Sequence, residues 1–148
     1  MSLPAPVIWP AEEISDIEEL MRERFGVLLP ENTALKFTGE TKAAETRALL
    51  RLDFSNDGSR LEFEVILDRE HSGVTEDEGE CLVLDAIDCL AFDWLESDRS
   101  ERFHGGWQKR AFLNVELNVR IERSFPGLEA RADDLLRSDG ESSGNQDA

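Results

Sequence analysis

Residues 75–97 read TEDEGECLVLDAIDCLAFDWLES. Thr75 and Glu78 have the T-x-x-E spacing of a capping box, in which each side chain hydrogen-bonds the other residue's backbone N–H. Val83, Leu84, Ile87, Leu90, Ala91, Trp94 and Leu95 then recur at helical spacing, predicting a helix over 76–97 with this stripe buried. Asp85, Asp88, Phe92 and Glu96 project from the opposite side. From Glu70 to Asp98 there are ten carboxylates and no Lys or Arg, so more than half of the net charge belongs to this one segment. A helix here, rather than an extended run, commits the chain to a mixed architecture.

The segment upstream alternates with period two. LLRLDF and RLEFEVIL flank Asp57-Gly58, and Asp-Gly between alternating apolar runs is a strong signal for a two-residue hairpin turn. A hairpin over 46–69 centred there sets Phe54 opposite Leu61, Leu52 opposite Phe63 and Leu50 opposite Val65. On the other face it sets Arg51 against Glu64 and Arg47 against Asp68, favourable cross-strand pairs. Asp53 opposite Glu62 is its one like-charge clash.

Further upstream, residues 33–38 (TALKFT) read as a short strand. A helix is predicted at 10–25, with Ile14, Ile17, Leu20, Met21 and Phe25 in one stripe, Pro10 in its first turn and Gly26 as its stop. Downstream, residues 110–122 alternate without a break and read as one strand, with Leu113, Val115, Leu117 and Val119 on the same face. Pro126 opens a helix to Arg137 that turns Leu128, Ala132, Leu135 and Leu136 inward. These elements predict a single α+β domain over 1–137, an antiparallel sheet of three to five strands with helices packed on one face. Residues 138–148 (SDGESSGNQDA) read as a disordered acidic tail.

Composition sets the function classes. The chain has 148 residues, 33 Asp+Glu and 16 Lys+Arg, a net charge of −17. That field repels nucleic acid and anionic membranes and suits basic proteins. Acid-rich, lysine-poor surfaces also arise in GC-rich genomes or a salty cytoplasm, and only Lys36, Lys42 and Lys109 are lysines. No apolar run approaches the ~20 residues of a membrane-spanning helix. MSLPAPVIWPAEE lacks the basic flank and long apolar region of a signal peptide. Cys81 and Cys89 stand eight residues apart, about 12 Å of helical rise, too far to bridge one another. Reduced thiols suit a cytoplasmic protein.

Chemistry-bearing motifs are sparse. Walker-type, dinucleotide-binding, nucleophile-elbow and H-E-x-x-H patterns are all missing from the sequence, so no catalytic residue, metal ligand or cofactor is assigned and the balance leans away from an enzyme. Asp53, Ser55, Asp57, Gly58 and Glu64 have EF-hand loop spacing. Their flanks alternate with period two rather than 3.6, however, so a charged hairpin turn is the better reading. Residues 99–110 (RSERFHGGWQKR) run against the overall charge. Arg99, Arg102, Phe103, His104 and Trp107 there form a candidate ligand-binding loop, since arginine and aromatic groups hold anions or flat rings. The plainer reading is a surface connection that pairs with the acidic helix.

Two family resemblances attach to these residues. Asp53-Phe-Ser55-Asn-Asp-Gly58 spells D-x-S-x-x-G and resembles the second signature of PilZ domains, which implies a cyclic di-GMP sensor. Arg47-x-x-x-Arg51 spells the other signature but lies inside the predicted strand. In size, acidity and rough element order most of the chain is similar to type III secretion chaperones, acidic α/β dimers that bind extended effector segments. That likeness implies a bacterial cytoplasmic, non-enzymatic accessory protein, chaperone- or adaptor-like. The candidate contact surface for a basic protein partner is then Asp85, Asp88, Phe92 and Glu96, with Phe92 as the desolvated anchor. Phe92 and Phe112 fall on nominally wet faces, and a homodimer would cover either.

Overall fold

The computed structural model describes residues 7–56, 58–97 and 106–125. Their elements are β1 (Val7–Ile8), α1 (Ala11–Phe25), β2 (Ala34–Lys42), β3 (Glu45–Asp53), β4 (Arg60–Asp68), a single turn α2 (Arg69–Ser72), α3 (Glu76–Ser97), β5 (Trp107–Phe112) and β6 (Val115–Ser124). All neighbouring strands pair antiparallel in the order β1-β2-β3-β4-β6-β5. The α+β class stands, but the sheet has six strands rather than three to five. The additions are a two-residue strand at one edge and a second strand from a segment whose pattern reads as one. The helix predicted at 126–137 and the tail at 138–148 lie outside the described residues.

The α3 helix forms where its pattern puts it. Thr75 N–H donates to Glu78 Oε1 at 2.8 Å and Glu78 N–H to Thr75 Oγ1 at 3.2 Å. These bonds hold the Glu78 carboxyl below its ordinary pKa. Val83, Ala86, Ile87, Ala91 and Trp94 are buried against β3 and β4, and α1 covers β2 with Ile17, Met21 and Phe25. Pro10 occupies the cap position of α1 rather than its first turn, and Gly26 stays right-handed and leads into a 3₁₀ turn over Gly26–Leu28. On the helix side, Phe37, Leu50, Phe63, Val65, Leu67 and Leu117 have almost no exposed surface. Each large apolar side chain buried this way is worth about 1.5–3 kcal/mol. Among the described residues the other face of the sheet carries no helix, and its side chains alternate in charge.

The central hairpin pairs two residues away from its expected register. Leu52 faces Leu61, Leu50 faces Phe63, Arg51 faces Glu62 and Asp53 faces Arg60. A slide of two keeps every side chain on its own face, so hydrophobic alternation does not choose between the registers. Charge trades one clash for another: the slide replaces the Asp53–Glu62 clash with an Arg60 Nε–Asp53 Oδ1 contact of 2.7 Å, and sets Glu45 opposite Asp68. The connection lengthens accordingly, closed by Phe54 N–H to Ser59 C=O and Gly58 N–H to Phe54 C=O, both 2.9 Å.

The predicted strand at 110–122 is two strands. Phe112 pairs with Val115, and Leu113 and Asn114 form the turn at φ 50° and 66°. A two-residue turn reverses the parity of the alternation. Phe112 therefore joins the face of Val115 and Leu117, while Leu113 stands 69% exposed. A leucine in the left-handed region costs roughly 1–2 kcal/mol, so only Asn114, which tolerates that region, marks this turn locally.

One glycine is required by packing. Trp9 is buried with its ring against Gly39, its backbone N–H donating to Gly39 C=O at 2.9 Å and its ring 5.8 Å from that of Phe37. This contact ties the segment preceding α1 to the sheet, and so helps set where α1 lies.

Candidate functional site

On the helix side, α1 and α3 run beside each other over a cavity of about 220 Å³ lined by Ile17, Leu20, Met21, Arg24, Leu84, Asp85 and Asp88. Its floor is apolar because both stripes meet there. Leu84, assigned to the buried stripe, is only half-buried and faces this groove. Leu20 on its rim is 64% exposed. The rim is also charged. Asp85 is exposed, and no described cation pairs with it. Asp88 is half-buried and bound by Arg24, with Nε 2.6 Å from Oδ2. Burial raises the Asp88 pKa even though Arg24 pulls it down.

The predicted contact surface is thus partly assembled and partly rearranged. Asp85 and Asp88 share the groove. Phe92 is no exposed anchor: it is half-buried, its ring 6.3 Å from Phe25, with the Arg24 guanidinium 4.6 Å above it. Glu96 is exposed farther along α3. Arg24 and Leu20 are the members that sequence reasoning missed. Both sit on α1, and only the packing of α1 beside α3 brings them to the Asp88 face.

A second groove of about 170 Å³ lies between α3 and the last hairpin, lined by Ala86, Cys89, Leu90, Phe112, Leu117 and Val119 among others. Burial and the neighbouring Asp88 raise the pKa of the Cys89 thiol, so it is a poor nucleophile at neutral pH. Cys81 is also exposed.

The candidate ligand loop divides. Arg99, Arg102, Phe103 and His104 lie outside the described residues. Trp107 begins β5, 48% exposed, opposite Arg120 and 5.8 Å from its guanidinium. It belongs to the face of the sheet opposite α1 and α3, away from the groove between them.

That face is a lattice of ion pairs. Glu64 is buried and accepts from Arg120 Nε and Nη2 at 3.1 and 2.8 Å, while Arg47 Nη1 lies 3.2 Å from its other oxygen. Arg120 also reaches Glu122 and Glu62, and Arg47 reaches Glu45. Arg51 and Arg60 share Asp53. Arg47 and Arg51, the pair with the PilZ-like spelling, are therefore engaged by carboxylates within the sheet. Among the described residues no three His, Cys, Asp or Glu side chains converge as a metal would need.

The β2 edge is closed by side chains. Phe37 N–H donates to Glu18 Oε2 at 2.9 Å, and Arg22 Nη2 donates to Leu35 C=O at 3.3 Å. Glu18 and Arg22, four residues apart on α1, thereby imitate a neighbouring strand where β1 has already left the sheet. Unpaired edges template association. Replacing Glu18 and Arg22 by alanine is expected to speed Phe37 amide exchange at least tenfold and to produce concentration-dependent self-association in sedimentation. Unchanged exchange at Phe37 would show that the edge needs no such cover.

No helix among the described residues is long and apolar enough to cross a membrane. No protein family, curated protein or solved structure matches the chain.

Proposed function

We propose that this chain is a small acidic, non-enzymatic binding protein, chaperone- or adaptor-like, that takes a basic protein partner on the α1–α3 face. The observation that supports this most directly is the groove itself. An apolar floor with an exposed leucine adjoins Asp85 and Asp88, on the chain's most acidic segment. Apolar area supplies affinity on desolvation, while peripheral carboxylates speed encounter with a cationic partner. The resemblance to type III secretion chaperones in size, acidity and element order points the same way.

The test is affinity capture with the tagged full chain. Proteins carrying basic segments are expected, released as salt rises through a few tenths molar. Capture should fall about tenfold with Asp85→Asn/Asp88→Asn, in a chain whose melting temperature confirms folding. Capture indifferent both to salt and to that double substitution would overturn the proposal.

A further inference from the structure

The acidic side of the groove already holds a cation, and the cation is the chain's own. Arg24, next to the last residue of α1, places Nε 2.6 Å from Asp88 Oδ2 and its guanidinium 4.6 Å from the Phe92 ring centroid. Phe92 is backed in turn by Phe25. A carboxylate beside an aromatic face is a specific receptor for a planar, weakly hydrated cation. The receptor is not neutralised by its occupant, because Asp85 stands one helical turn before Asp88 with no described cation against it. The apolar cavity opens beside it, and Leu20 on its rim is exposed. The Arg24 side chain is 48% exposed, against 23% for Asp88, so a competing cation can approach the arginine side of the pair from solvent.

We propose that Arg24 is a built-in plug in a guanidinium site. An arginine-bearing segment of the protein partner displaces Arg24 from Asp88 and Phe92, and an apolar side chain beside that arginine fills the groove over Ile17, Met21 and Leu84. The inference rests on the functional reading above and adds the recognition chemistry and its restraint. The charge of the α3 face selects a cation, the Phe92 ring selects arginine over lysine, and the internal competitor keeps weak basic segments out. A binding site occupied by an internal ligand shows an apparent affinity lowered by the fraction of time it is closed.

The experiment titrates the full chain with N-acetyl-arginyl-leucinamide and follows the Phe92 ring and Leu20 methyl signals by NMR. Arg24→Ala is expected to bind this probe roughly tenfold more tightly than the unaltered chain. Adding Asp88→Asn should abolish the gain, and a probe with norleucine in place of arginine should show none. Should Arg24→Ala fold poorly, Arg24→Gln replaces it, with the same expectation. A probe affinity equal in the plugged and unplugged chains, or a gain that survives loss of Asp88, overturns the proposal. The two ideas fail separately. Loss of salt-dependent capture removes the functional reading, whereas salt-dependent capture with no effect of Arg24 on probe binding removes only the plug.

Discussion

Replacing Gly39 by alanine is expected to destabilise the fold by about 2–4 kcal/mol and to drive Trp9 out of its buried position. A Cβ on Gly39 would lie 2.4 Å from Trp9 Cδ2 and 2.5 Å from Cε3, far inside contact distance and against a rigid ring. The cost is steric, since Gly39 is not among the residues with positive φ. The two substitutions should therefore couple. Gly39→Ala in a Trp9→Leu background should cost much less than in the original chain, because leucine can move aside. Denaturant melts read the stability, and a red shift in tryptophan emission reads the exposure of Trp9. Unchanged stability would mean that the indole does not lie on Gly39. The consequence reaches the groove, because the Trp9 contact anchors the segment from which α1 starts, and α1 carries Leu20 and Arg24.

Removing the Glu64 carboxylate is the second large effect. Glu64→Ala should cost about 2 kcal/mol, between the 0–1 of an exposed pair and the 3–5 of a fully buried one. The side chain is 11% exposed and satisfies two arginines, and Arg120 is only 17% exposed. Burial works against the charge on Arg120, yet the hydrogen bond and charge of Glu64 hold its pKa above the ordinary value. Without Glu64, Arg120 keeps Glu62 and Glu122, which limits the loss. Added salt should change the Glu64→Ala effect little, because a shielded pair is poorly screened. Urea melts at low and high salt measure both points. A neutral Glu64→Ala would show that the ion-pair lattice on the face opposite α1 and α3 contributes nothing to stability.

Several misreadings have one physical origin. The slide of the β3–β4 register by two residues and the hidden turn at Leu113-Asn114 both leave short-range alternation intact. A slide of two preserves parity, and the strands on either side of Leu113-Asn114 each alternate correctly by themselves. Charge exchanged one like-charge pair for another in the first, and only Asn114, a residue that tolerates the left-handed region, marked the second. Phe92 misled for a related reason. It lies on the polar side of α3 by helical periodicity, and only the neighbouring α1 covers it with Phe25 and Arg24. The β1 strand is two residues long, below what any local pattern resolves, and exists because the β2 edge offers Thr41 and Glu40 as partners.

The amino-acid sequence by itself determined the α3 helix with its cap, the extent of α1, the inward face of β3 and β4, the mixed α+β class and the concentration of negative charge on one segment. These are short-range properties, written in periodicity and capping chemistry within a few turns of chain. The tertiary structure alone decided the strand count, the register, the closing of the β2 edge by Glu18 and Arg22, and the seating of Arg24 between Asp88 and Phe92. The edge closure and the seating of Arg24 join residues distant along the chain, and their pairing depends on which complementary surfaces meet once the sheet has formed.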